Sequence, residues 1–181
     1  MIKEAGIIFD ELEPEAIDMP FGTVSGAGVI FGVTGGVTEA VLRRVSENKS
    51  RTALLQVAAA GQRGLDGIKE LTVNYGEKEL RIAVVSGLGN AETVLERVKN
   101  GEHYDFIEIM ACPGGCINGG GQPYASYGRN EVRSKALYES DRMHSIRRSE
   151  ENPVAKSVYK NIIKDRAHEL LHVHYHTENK D

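Results

Sequence analysis

Both cysteines of the chain fall within residues 110–124, which read Met-Ala-Cys-Pro-Gly-Gly-Cys-Ile-Asn-Gly-Gly-Gly-Gln-Pro-Tyr. The five glycines and two prolines there forbid a continuous helix or strand, because glycine loses the most backbone entropy on ordering and proline lacks a ladder donor. The chain must make a loop at this point, and the loop offers Cys112 and Cys116 with little side chain around them. Two thiols four residues apart beside bare backbone suit iron, zinc or a disulfide. A closed zinc site takes four ligands, usually with a second Cys or His pair at similar spacing, and no such pair is present.

The surrounding pattern places that loop. Leu71, Val73 and Tyr75 alternate, Gly76-Glu77 turns the chain, and Leu80, Ile82 and Val84 alternate again, which predicts a hairpin. An amphipathic helix follows, with Asn90 as its cap and Ala91, Val94, Leu95 and Val98 on one face. The apolar run Asp105-Phe106-Ile107-Glu108-Ile109 then leads directly into the cysteine loop. Strand, helix and strand make a parallel pair with a right-handed crossover, so the loop is expected at the carboxyl end of a sheet, where α/β proteins build their sites. Glu108, at the strand end, is expected to be a structural hydrogen-bond partner rather than a proton carrier.

Upstream, residues 10–20 are acidic with two prolines and predict an irregular connection. Gly28 to Phe31 is expected as a short buried strand ending in a glycine-rich turn, followed by a helix with Val37, Ala40, Val41 and Val45 at helical spacing. Neither phosphate-loop pattern is satisfied around Gly32, Gly35 and Gly36, and Gly87-x-Gly89 is followed by Glu92 where a dinucleotide fingerprint needs glycine. Residues 53–62 predict a packed helix or buried run. From Arg129 the pattern is helical, first around Val132, Ala136 and Leu137, then from Asn152-Pro153 as N-cap and first turn before Val154, Val158 and Ile162, with a short helix after Asp165. Arg142, Arg147 and Arg148 are expected on a solvated face. His168, His172, His174 and His176 crowd the C-terminus, and the first two share a helical face, yet no cysteine or carboxylate joins them at a fixed metal-binding spacing.

With 181 residues and 40% hydrophobic content the chain can fill one core, or one lobe of a larger one. A net charge of −4 offers no basic field for nucleic acid. No run approaches the ~20 apolar residues of a membrane span.

The 110–124 string with its leading strand resembles the third signature motif of the iron-only (FeFe) hydrogenases. The resemblance extends to Gly28-Val29-Ile30-Phe31-Gly32-Val33-Thr34-Gly35-Gly36-Val37-Thr38-Glu39-Ala40, to Arg148-Ser149-Glu150-Glu151-Asn152-Pro153 and to Leu170-Leu171-His172, so it covers nearly the whole chain. It implies an α/β fold: one lobe of the hydrogenase catalytic domain, with a small mixed or parallel sheet flanked by helices. Residues 1–128 would form the C-terminal lobe of the large subunit and residues 129–181 a small-subunit-like helical tail packed on it as a single structural unit.

By the same resemblance Cys112 ligates a four-iron four-sulfur (4Fe-4S) cluster, and Cys116 both ligates it and bridges to a dinuclear iron subsite, the two together forming the H-cluster. Met110 approaches that subsite as an apolar wall, and Phe31 and Val37 lie near its gas-facing side. The end of a strand leading into a helix offers backbone N–H groups to the negative charge of such a cluster. The reaction implied is the reversible combination of two protons and two electrons into hydrogen. In the family two further motifs, T-S-C-C-P and M-P-C-x-x-K, supply the other ligands and the proton-transfer cysteine, and neither occurs here.

The chain is therefore expected to be a C-terminal fragment, without its cluster when isolated and inactive alone. Met1-Ile2-Lys3-Glu4-Ala5-Gly6, which reads as the last turn of a helix ended by glycine, agrees with that. The expected partners are the N-terminal half of the catalytic domain, a ferredoxin-like or NAD(P)H-linked electron donor acting through upstream clusters, and a second copy of the fragment meeting it through the face left bare. Because the tail continues the same chain, the resemblance points to a cytoplasmic enzyme. Two other classes stay open: a family relative that serves iron–sulfur assembly or sensing without hydrogenase activity, and a self-contained protein whose cysteines form a disulfide or hold a cluster across a dimer.

Overall fold

The two alternating runs form the predicted hairpin. Strand β1 (Ile68–Tyr75) pairs antiparallel with β2 (Lys78–Ser86), Leu71 standing opposite Ile82 and Val73 opposite Leu80. A helix (Leu88–Lys99) brings the chain back to β3 (Phe106–Met110), which lies parallel to β2 with Ile82 beside Phe106 and Ser86 beside Met110. The mixed sheet has the order β1-β2-β3. The computed structural model describes residues 1–16, 22–46, 48, 50–124 and 128–173.

Both faces of β2 are covered, as parallel pairing demands. On one face Ile82 and Val84 pack with Leu71 and with Leu42, Val45 and Val57 of the helices described next. On the other, Ala83 and Val85 pack against Ala91 and Val94. In order along the chain the helices are α1 (Gly26–Val29), α2 (Gly36–Val45), α3 (Arg51–Ala58), α4 (the Leu88–Lys99 crossover), α5 (Arg129–Met143), α6 (Pro153–Val158) and α7 (Ala167–Leu171).

The expected strand at Gly28 to Phe31 is instead helical: α1 followed by a 3-10 turn, Ile30–Gly32. Ser25 caps α1, its hydroxyl accepting from the Gly28 N–H at 3.3 Å. A Cβ at Gly26 would lie 2.1 Å from Asp141 Oδ1, so α1 packs backbone-close against α5, which the apolar run alone does not reveal. On α2 the half-buried residues Val37, Ala40 and Val41 are not the innermost ones; Thr38, Glu39, Leu42 and Arg43 are. On α4, Leu95 and Val98 remain exposed, and Asn90 is no cap. The helix begins earlier, after Gly87, and Asn90 Nδ2 donates to the Ser86 carbonyl at 2.7 Å, tying helix to strand end.

The tail holds a second correction. Arg147 and Arg148 do not lie on a solvated face. Arg148 is buried, and Arg147 is largely so, donating from Nε and Nη2 to the two carboxylate oxygens of Asp141 at 2.9 and 2.6 Å. Arg142 is exposed as expected. Arg43 of α2 also grips Asp141, at 2.8 and 2.7 Å, and reaches Glu39 at 2.6 Å, while Arg63 holds both oxygens of Glu39 at 2.7 Å. Burial pushes the Glu39 carboxyl up, but the hydrogen bonds and charges of Arg63 and Arg43 outweigh it and hold it below its ordinary range. Asp141 is likewise raised by burial and lowered further by Arg43 and Arg147.

Asn152 caps α6 as predicted, its side-chain oxygen accepting from the Val154 and Ala155 N–H groups at 2.9 and 3.4 Å. The next turn, Tyr159–Ile163, is a π-helix. Its wider spacing carries Ile163 inward and leaves the expected Ile162 exposed. The His168 and His172 rings meet edge-on at 4.5 Å. His174 and His176 lie outside the described residues, as does most of the second half of the acidic connection. Met1–Gly6 form a hydrogen-bonded turn with Gly6 at φ +69°, and residues 1–16 are exposed throughout.

Candidate functional site

The loop emerges where β2 and β3 end together. The Gly87 N–H donates to the Met110 carbonyl at 2.7 Å, closing the sheet, and the chain then runs into residues 111–124. Two buried bonds dock it. The Gly114 N–H donates to Ser86 Oγ at 2.7 Å, and the Gly114 carbonyl accepts from the Thr34 N–H at 3.1 Å. Gly115, at φ +90°, passes so close to the segment after α1 that a Cβ would lie 2.9 Å from the Gly32 carbonyl oxygen. A side chain at this position would both strain the backbone and collide.

The two docked glycines are buried, and the cysteines on either side of them are exposed free thiols. A short 3-10 turn, Cys116–Asn118, sinks Ile117 into a cluster with Ile30, Val33 and Tyr138. Asn118 Nδ2 donates back to the Pro113 carbonyl at 3.1 Å, bracing the loop across its cysteines. Beyond it, Cβ atoms at Gly120 and Gly121 would meet nothing within 4 Å, and one at Gly119 would lie 3.6 Å from Cys112 Sγ. The space beside the sulfurs is thus kept free of side chains.

Met110 is half-buried at the end of β3. Phe31 is 44% exposed on the 3-10 turn that packs against Cys116–Asn118, and Val37 is half-buried in the first turn of α2. The backbone between these two residues is what the loop docks on, through Gly32, Thr34 and Gly115. Glu108 fixes that backbone. Its carboxylate accepts from the Gly35 N–H at 2.6 Å and from both the Thr38 N–H and Thr38 Oγ1 at 2.7 Å, so a strand residue caps α2 as a structural acceptor.

Sequence reasoning missed Ser86, Arg133 and the Glu39–Arg43–Asp141 network. Only Glu39 and Arg43 carried a signal, their i,i+4 spacing on a helix. Arg133 reaches from α5 to the Ile117 and Pro123 carbonyls at 2.8 and 2.9 Å. Among the described residues no group of three or more His, Cys, Asp or Glu could hold a metal ion. Two exposed thiols on rigidly docked glycines, with open space beside them, fit one half of a four-thiolate ligand set.

Residues 1–120 match the family described as iron only hydrogenase large subunit, C-terminal domain, and residues 129–178 match iron hydrogenase small subunit. The chain belongs to the iron-only hydrogenase family. It is 43% identical over 182 residues to the NADP-reducing hydrogenase subunit HndD of Solidesulfovibrio fructosivorans, covering 97% of this chain and 31% of that protein. It is 31% identical over 192 residues to cytosolic iron-sulfur assembly component 3 of Mus musculus, covering 99% of this chain and 40% of that one. A solved FeFe-hydrogenase HydA1 variant from Chlamydomonas reinhardtii superposes with a TM-score of 0.58 at 35% identity, over 96% of this chain and 52% of that one. The chain thus spans about a third of the hydrogenase subunit and about half of the solved enzyme. The small mixed sheet flanked by helices is the α/β architecture expected for a lobe of this domain. The family's hydrogenases are oxidoreductases whose full-length forms carry iron–sulfur clusters, and its relatives include iron–sulfur assembly proteins. No helix of the described residues is long and apolar enough to cross a membrane.

Proposed function

We propose that this chain contributes Cys112 and Cys116 as two of the four cysteine ligands of the active-site cluster of an iron-only hydrogenase. The observation that carries this reading is the docked loop itself: buried Gly114 and Gly115, exposed free thiols on either side, and bare backbone beside them. In this role Cys112 and Cys116 would hold the 4Fe-4S cluster, with Cys116 also on the side of the dinuclear subsite. Met110 would approach that subsite as an apolar wall, and Phe31 and Val37 would lie near its gas-facing side. When bound, the cluster and its dinuclear iron supply the electrons and reactive iron for reversible reduction of protons to hydrogen. The chain's own part is to hold two thiolates on a docked loop and to keep side chains away from the space beside them.

The remaining ligands come from the N-terminal half of the catalytic domain, and electrons from a ferredoxin-like or NAD(P)H-linked donor through clusters upstream. Residues 1–128 act as the large-subunit lobe and 129–181 as its tail. The enzyme is cytoplasmic in this reading, because lobe and tail share one chain.

A second reading, an iron–sulfur assembly or sensing module, is favoured by the likeness to the murine assembly component. Co-production with the N-terminal half of a family hydrogenase, in a host that matures such enzymes, separates the two. Hydrogen evolution from a reduced viologen dye that is lost in Cys116→Ser is the expected result. A stable cluster without hydrogen evolution supports the assembly reading, and absence of any cluster contradicts both.

A further inference from the structure

We propose that Arg133 is the positioning residue of the cysteine loop, so that the tail helix, through one guanidinium, sets the geometry of Cys116. This rests on the reading of Cys112 and Cys116 as cluster ligands. Arg133 is half-buried on α5, and its two terminal nitrogens donate to different carbonyls, Nη1 to Ile117 at 2.8 Å and Nη2 to Pro123 at 2.9 Å. Ile117 directly follows Cys116, and Pro123 stands just past the triple-glycine run, so the fork spans both ends of the most weakly packed part of the loop. Around Gly120 and Gly121 the backbone is open, since a Cβ at either would find nothing within 4 Å. The Ile117 side chain adds a second hold, packed with Tyr138 and Leu137 of the same helix.

The position of α5 is itself fixed two turns away, where Asp141 is gripped by Arg43 and Arg147. Register imposed by those buried ion pairs passes along a rigid helix to Arg133 and so to Cys116. Only arginine offers two donors in a planar fork; a lysine ammonium can reach one carbonyl at a time. The consequence concerns assembly: the ligand set acquires its geometry only once the tail has docked.

The test uses the full chain without metal, comparing wild type with Arg133→Gln and Arg133→Lys. Amide hydrogen exchange is followed at Gly119 and Gln122, inside the clamped loop, and at Gly114, docked on Ser86. Iodoacetamide labelling of Cys116 relative to Cys112 is measured in parallel. The expected result in both variants is exchange about tenfold faster at Gly119 and Gln122, unchanged exchange at Gly114, and a shifted labelling ratio. If Arg133→Gln loosens α5 as a whole, Arg133→Lys, which keeps the charge and the stem, decides. Unchanged loop exchange and labelling in Arg133→Lys overturns the proposal. Because no iron enters the measurement, failure of the ligand reading would appear separately, as a chain with a clamped loop that never takes up a cluster with its N-terminal half.

Discussion

Glu108 belongs to β3 by backbone and to α2 by function. Its carboxylate meets two N–H groups and a hydroxyl at the start of that helix, where the backbone has unsatisfied donors and a positive dipole end. Glu108→Ala orphans all three donors in a buried setting and is expected to cost about 3 kcal/mol in urea unfolding. Asp141 and Glu39 predict the acid response. Both carboxyls are held below their unfolded values by arginines that outweigh burial, so their contribution is fully present above about pH 5 and is lost as pH falls through the unfolded values to the folded ones. The urea midpoint should be flat above about pH 5 and fall below about pH 4. Asp141→Asn should begin lower at neutral pH, since Arg147 loses its carboxylate and Arg43 one of its two, and show a shallower acid slope.

At the scale of elements, the segment from α1 to α2 decides whether the cysteine loop has anything to dock on. A Cβ at Gly36 would lie 1.6 Å from the Ile30 carbonyl oxygen, whereas one at Gly120 meets nothing. Gly36→Ala should therefore cost more than about 3 kcal/mol or prevent folding, and Gly120→Ala less than about 1 kcal/mol, both read from denaturant midpoints. This segment also marks where the sequence stops being legible. The hairpin and the crossover helix could be read from their periods because burial on a sheet imposes alternation and a helix imposes a stripe, and β3 from its short apolar run ahead of the glycine-rich loop. The apolar run at Val29 to Phe31 carries no period, and its helical form depends on Ser25 and on contact with α5 far along the chain. Ile163 in place of Ile162 follows from a π turn that an unbroken helical period misses. The cysteines announced the candidate site, but Ser86 and Arg133, which dock and clamp its loop, use ordinary polar side chains whose partners are backbone groups. Buried Arg148 read as a surface charge because only tertiary contacts bring it inside.

On the scale of the whole molecule, the chain matches the C-terminal domain of the large subunit and the small subunit of the family, and it leaves many large apolar side chains exposed. Phe31, Ile109, Val132, Met143 and Ile162 are all exposed, as are Ile7, Ile8, Phe9 and Leu12 near the start. The isolated chain should self-associate through such surface, giving a concentration-dependent mass in sedimentation; a strict monomer at high concentration would contradict this. The most direct test of two thiolates out of four is the iron and acid-labile sulfide content after anaerobic reconstitution, with the mass of the same sample recorded. Near-zero iron is expected for the chain alone, and about four irons per complex once the N-terminal half is added, lost in Cys112→Ser. About four irons per pair of chains, with no N-terminal half present, would mean that two copies complete the ligand set between them, and would contradict that expectation.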